Sequence, residues 1–191
     1  QAVALAGSVG TPQVIAEALE LPLDAVAASL DRLATEHLVV WRDEPAARIG
    51  DDAVRQAALD SIESVASAQL RLRMARAVIA ARRSAIGGAP SIGSAERFEL
   101  LRLLEGSEHA LSAEESAWYV AWCEDAARIA RRGGAYAAAL DLQLRAIGQL
   151  GPVAWRDQPA RMFELHLRAA ENALVIDRTA LVDQLLDSAW A

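Results

Sequence analysis

The stretch that most constrains this chain is RRGGAYAAALDLQLRAIGQLGP, from Arg131 to Pro152. It spells a helix stop, a sharp turn and a second helix. Gly133 and Gly134 are expected to end the first helix with positive-φ backbone, which glycine adopts without steric cost. Tyr136, Ala139, Leu140, Ala146 and Ile147 then recur at helical spacing, and Gly151-Pro152 closes the run. Ala139 and Ala146 are small enough to let two helices approach closely. Tyr136 is expected to fill the space beside the turn.

A related pattern lies 43 residues on, where Ala126, Ala127 and Ala130 correspond to Ala169, Ala170 and Ala173, and Leu142 and Ala146 to Leu185 and Ala189. Asp177 takes the glycine slot, Thr179 the aromatic slot and Val182 the alanine slot, so the second copy is degenerate. The order of glycine, aromatic, alanine, Ala-Ile and proline resembles the second helix of a tetratricopeptide repeat. The spacing exceeds the usual length of about 34 residues, which implies helix pairs with extra turns.

Composition agrees with close-packed helices. The chain is 53% hydrophobic but only 5% aromatic, with much of the apolar share alanine. All 19 basic residues are arginine, and the net charge of −7 argues against a nucleic-acid binder. Cys123, the single cysteine, excludes an intramolecular disulfide, suits a cytoplasmic location and reads as a buried, inert thiol. No apolar run approaches membrane-spanning length. The chain begins at Gln1 inside an apolar helical pattern and ends at Trp190-Ala191 without a polar capping helix. The expectation is a fragment of a longer protein.

The first 50 residues read as three helices and a hairpin. Gln1 to Val9 is one helix; Thr11-Pro12 opens a second; Pro22 opens a third carrying Leu23, Val26, Ala27, Leu30, Leu33 and Ala34. Leu38 to Trp41 and Ala47 to Ile49 are the strands, joined by a turn at Asp43-Glu44-Pro45. This is the order of a winged-helix domain. Seven acidic residues here (Glu17, Glu20, Asp24, Asp31, Glu36, Asp43, Glu44) face Arg32, Arg42 and Arg48, a balance of −4. DNA binding needs basic side chains on the phosphates, so a linker role fits better than DNA contact.

Asp51 caps the next helix. Its Val54-Arg55-Gln56-Ala57-Ala58 resembles the segment after the winged helix in signal-transduction ATPases with numerous domains. These include large ATP-binding LuxR-type regulators, MalT-like activators and ATPase-coupled sensor kinases or cyclases. Asp51 and Ile49 stand where that family commonly has histidine and an aromatic. Trp155 and Phe163-Glu164-Leu165-His166-Leu167 resemble the sensor-kinase branch. The resemblance implies an ATPase domain of the same polypeptide as partner and helical repeats that bind a ligand or a protein. It implies regulation of transcription, or a plain interaction scaffold as the alternative.

A helix from about Ser67 to Ser84 places Leu70, Met74, Ala77, Val78 and Ala81 on one face, with Arg71, Arg73, Arg76, Arg82 and Arg83 on the other. Arg71, Arg76 and Arg83 are the candidate docking residues for the ATPase domain or an acidic partner, against the simpler reading of a solvated face. AIGGAPSIG, residues 85–93, is a loop without the lysine and spacing of a phosphate-binding loop. A helix from Ser94 to about Leu104 follows, and Ser112 with Glu115 forms a capping box. On the long helix beyond it, Trp118 and Trp122 are candidate aromatics of a binding groove or, more simply, packing residues. Asp157-Pro159 opens a helix to about Ile176, and a last one runs from Thr179 to Trp190. His37, His109 and His166 are scattered, and Glu114-Glu115 and Glu124-Asp125 are neighbours that diverge by about 100° on a helix. Neither a catalytic nor a metal or cofactor site is expected.

The sequence therefore predicts an all-α chain in three parts: a winged-helix-like linker over 1–50, connecting helices over 51–93 and tetratricopeptide-like repeats over 94–191. It predicts no enzyme activity of its own and no contact with nucleic acid or membrane. Homo-oligomerisation stays open.

Overall fold

The computed structural model describes residues 1–41, 46–61, 64–86 and 92–190, without the side chains of 64–65 and 83–86. The regular structure of the described residues is helical apart from one antiparallel strand pair. They form two compact units, Gln1–Ser107 and Glu108–Ala191.

In the first unit, α1 (Ala2–Ala6) is apolar throughout and wholly buried. A single 3-10 turn, Gly7–Val9, follows it, so the expected continuous helix to Val9 tightens at Gly7. Gly10 is a point of close approach: a Cβ there would lie 2.6 Å from that of Ala6. The Gly10 carbonyl also accepts from Ala47 N, at 3.1 Å. Thr11 caps α2 (Pro12–Leu19) by accepting from Val14 N, as the Thr-Pro pair predicts. Helix α3 (Leu23–Thr35) buries only Val26 and Leu30, and Asp24 and Asp31 face solvent.

Strands β1 (Val39–Trp41) and β2 (Ala47–Ile49) pair Val39 with Ile49, Val40 with Arg48 and Trp41 with Ala47. The turn expected at Asp43-Glu44-Pro45 lies outside the described residues. Asp51 caps α4 (Asp52–Asp60) through the amides of Ala53 and Val54, at 2.7 and 3.1 Å. No residue of α4 is fully buried, although the helix meets α1 and β2 and Arg55, Ala58 and Leu59 are half-buried.

Helix α5 (Ser64–Ile86) is the core of this unit. Ala75 and Ile79 are buried together with the expected Leu70, Met74, Ala77 and Val78, whereas Ala81 is exposed. Burial on several sides follows from its packing against α1, α2 and α6. The helix reaches Ile86, so the loop predicted over 85–93 begins later; residues 87–91 lie outside the described ones.

Helix α6 (Ser94–Leu103) belongs to the first unit and not, as the sequence suggested, to the repeats. Leu100, Leu101, Leu103 and Leu104 are buried, Arg82 pairs with Glu96 at 2.8 Å, and Arg102 donates to the Leu5 carbonyl at 2.9 Å. These ties to α1 and α5 are invisible in local sequence.

The second unit opens with a 3-10 turn, Glu108–Ala110, and α7 (Ala113–Arg132), whose Ser112–Glu115 capping box is complete. Helix α8 (Tyr136–Leu150) returns antiparallel after the glycine turn, α9 (Ala154–Asp157) is one turn, and α10 (Pro159–Val175) and α11 (Thr179–Trp190) form the second hairpin. Of the two turn glycines, Gly134 takes positive φ, at 77°, whereas Gly133 is at −82° and continues the turn. At the position 43 residues on, Asp177 also takes positive φ, 59°, so the degenerate copy keeps the backbone turn without glycine. Aspartate tolerates this region better than most residues. Leu140, Ala169, Ala170, Ala173 and Leu185 pack together beneath Ile147, Leu181 and Leu186.

Candidate functional site

Charged side chains of α7 and α10 meet where two ion pairs bridge the helices. A notch of about 120 Å³ opens there, with Glu124, Arg128 and Arg131 on α7 and Arg161, Glu164 and Arg168 on α10. Gln143 of α8 reaches it from below. The spacings on each helix place these residues on one face, with Ala127 and Leu165 lining the notch between them.

Ion pairs stitch the notch. Arg161 donates to Glu124 at 2.7 Å and Arg131 to Glu171 at 2.6 Å, both between α7 and α10. Arg168 pairs with Glu164, and Arg128 with Asp125, along their own helices. The guanidinium groups are thus held in place while their charge is balanced. Exposed pairs of this kind contribute little each, about 0–1 kcal/mol; their role here is orientation. Beneath them, buried Asn172 donates to buried Gln143 at 2.8 Å, and Asn172 Oδ1 has no hydrogen-bond partner. Replacing Asn172 by Ala strands the Gln143 carbonyl. The expected loss in a urea titration is about 1–3 kcal/mol, and the Asn172→Leu, Gln143→Leu pair is expected to recover most of it.

The predicted aromatics are together, but not in this notch. Trp118 and Trp122 are half-buried with ring centroids 4.3 Å apart, on the side of α7 turned away from α10. Between them Tyr119 is fully buried, and its hydroxyl donates to Glu108 at 3.2 Å. Tyr119, Cys123, Ala126 and Ala130 form the true inner stripe of α7.

Cys123 is buried, and burial pushes its thiol from 9.0 up to about 12; the Tyr119 hydrogen bond opposes this in part. Burial also raises the Tyr119 hydroxyl. The folded chain holds the Cys123 proton more tightly than the unfolded chain. Its contribution to stability is therefore complete below about pH 9 and is lost as pH rises towards about 12. The limiting slope is about 1.4 kcal/mol per pH unit. Denaturant titrations between pH 8 and 11 are expected to show that alkaline loss (roughly the window set by the Cys123 shift), with the native thiol inert to disulfide reagents. A Cys123→Ala variant losing stability over the same range just as steeply would contradict the assignment.

The arginines predicted to dock a partner all lie on α5. Arg71 is half-buried with its Nε enclosed and lacking a hydrogen-bond partner, and Arg76 is exposed. The side chain of Arg83 lies outside the described residues. On the same helix Arg73 pairs with Glu20 at 3.8 Å and Arg82 with Glu96 at 2.8 Å. A second hollow in the first unit, about 520 Å³, is lined by Val9, Val14, Val78 and Arg48 with the Arg82–Glu96 pair.

His166 is buried, its Nδ1 2.8 Å from the Met162 carbonyl and its ring 4.9 Å from that of Trp155. It is a packing residue of α10. Among the described residues no group of three or more histidine, cysteine or acidic side chains could hold a metal ion, and no helix is long and apolar enough to cross a membrane. Comparison with family models, curated proteins and solved structures finds no match.

Proposed function

We propose that this chain is a non-catalytic regulatory segment of a multidomain bacterial signalling ATPase that controls transcription in the cytoplasm. In this reading residues 1–50 form a winged-helix-like linker, and the second unit is a pair of long tetratricopeptide-like repeats. The repeats bind a ligand or protein and relay that event to the ATPase domain. The observation that carries the reading is the repeat itself. Positions 43 residues apart, Ala126 and Ala169, Ala127 and Ala170, Ala130 and Ala173, are buried alike, and Gly134 and Asp177 turn the chain alike. Such stacked hairpins serve as binding surfaces. The notch, at about 120 Å³, suits side chains of a protein partner better than a drug-sized inducer.

The scaffold reading, without ligand response, is favoured by the charge balance, since arginines Arg131, Arg161 and Arg168 each already hold a carboxylate. The experiment is ATP hydrolysis by the full-length product of the gene encoding this chain, with and without Arg131→Glu and Arg161→Glu together. Altered regulation in a folded variant supports the regulatory reading. Unaltered regulation selects the scaffold, and a product that hydrolyses no nucleotide overturns both.

A further inference from the structure

We propose that the second unit binds a second copy of this chain head to tail, through an apolar stripe on α10 that receives the tryptophan face of α7. The proposal rests on the repeat reading above. Phe163, Leu167 and Leu174 run along one face of α10 and are 38%, 38% and 61% exposed; Trp190 of α11, 75% exposed, stands with its ring centroid 5.7 Å from that of Phe163.

The 43-residue relation says what this stripe is. Subtracting it from Phe163, Leu167 and Leu174 gives Val120, Glu124 and Arg131, of which Glu124 and Arg131 line the notch and pair with α10. The stripe is thus the equivalent surface one repeat later. Applied to Arg161 and Leu165, the residues α10 turns to α7, the same step gives Trp118 and Trp122. The two faces are therefore related by the same 43-residue step that sets α10 across the notch from α7.

The chemistry has changed in step on both faces. Glu124 and Arg161 form an ion pair inside the unit, and their equivalents on the two outer faces are Leu167 and Trp118. A charged pair has become an apolar pair. Ile129, exposed beside the half-buried Trp118 and Trp122, extends the tryptophan face. Arg128 is the equivalent of Glu171, and its charge is already balanced by Asp125. A helix suited to the α10 stripe must be apolar where α10 carries Arg161 and Leu165, and α7 of a second copy meets that condition. The contact is heterologous, so it extends copy by copy unless a ring closes.

Sedimentation of the 191-residue chain over a concentration series tests this. The average mass is expected to rise with concentration. Leu167→Glu or Trp118→Arg alone is expected to weaken association by at least about tenfold. An equimolar mixture of the two variants is expected to associate again, through alternating Leu167–Trp118 contacts and contacts between the two substituted positions, and both changes in one chain to restore association through the new Glu–Arg pair. A circular-dichroism melt checks each fold, and Leu174→Arg at the more exposed position serves if Leu167→Glu unfolds. A monomer at all concentrations overturns the proposal, as does association indifferent to Trp118→Arg, which would mean an α10-to-α10 contact. Neither result bears on ATP hydrolysis by the full-length product, so failure here is separable from failure of the regulatory reading.

Discussion

Ala139→Trp and Ala146→Trp are each expected to abolish the cooperative melting of the second unit. Both alanines are completely buried, and they lie two turns apart on one face of α8. Helix α8 packs against α7 and also against α10, so a larger side chain cannot be relieved by tilting away from one neighbour. Overpacking costs about 1–3 kcal/mol in cores that adjust, and more where backbone must move. Several kcal/mol is a large part of the stability of a domain this size. The measurement is a thermal melt of each variant by circular dichroism. Ala138→Trp, the same change at an exposed position of the same helix, is the control and is expected to melt like the parent chain. Unchanged Tm in both buried-site variants is the result that removes the tight hairpin.

Helical character and most helix starts were legible because they are local. Thr11-Pro12, Asp51 and the Ser112–Glu115 box each state their cap in three or four residues, and each cap forms. The second turn was legible as a position but not as a conformation, since Asp177 replaces the glycine and still adopts positive φ. What failed was allocation between units. Helix α6 looks like an opening repeat helix, yet its leucines and the Arg102–Leu5 hydrogen bond place it with α1, across 97 residues of chain. Such long-range pairing leaves no periodic trace.

The candidate site was less legible. A basic helix reads as a docking face when its arginines are counted along one element. In the fold, Glu20 and Glu96 arrive from α2 and α6 to meet Arg73 and Arg82. The notch between α7 and α10 is likewise built from pairs 37 and 40 residues apart, Arg161 with Glu124 and Arg131 with Glu171. The 43-residue relation offered a route to them, because it brings those helices side by side. Trp118 and Trp122 drew attention by size, whereas periodicity pointed to Tyr119: it precedes Cys123, Ala126 and Ala130 at i+4, i+7 and i+11.

Tyr119 is therefore expected to separate the two faces of α7 by experiment. It is among the largest fully buried side chains, so Tyr119→Ala opens a cavity and is expected to cost about 3–5 kcal/mol. Tyr119→Phe keeps the ring and loses the hydroxyl's hydrogen bonds to Glu108, 3.2 Å away, and to Cys123, for an expected cost of about 0.5–1.5 kcal/mol each. Trp118→Ala and Trp122→Ala remove larger rings from half-buried positions, and each is expected to cost less than Tyr119→Ala. The order matters more than the values, because transfer and cavity contributions grow together only where neighbours enclose the side chain. Urea titrations of the four variants measure it. Should either tryptophan variant prove more damaging than Tyr119→Ala, the tryptophan face is core, and it is not available to a second copy.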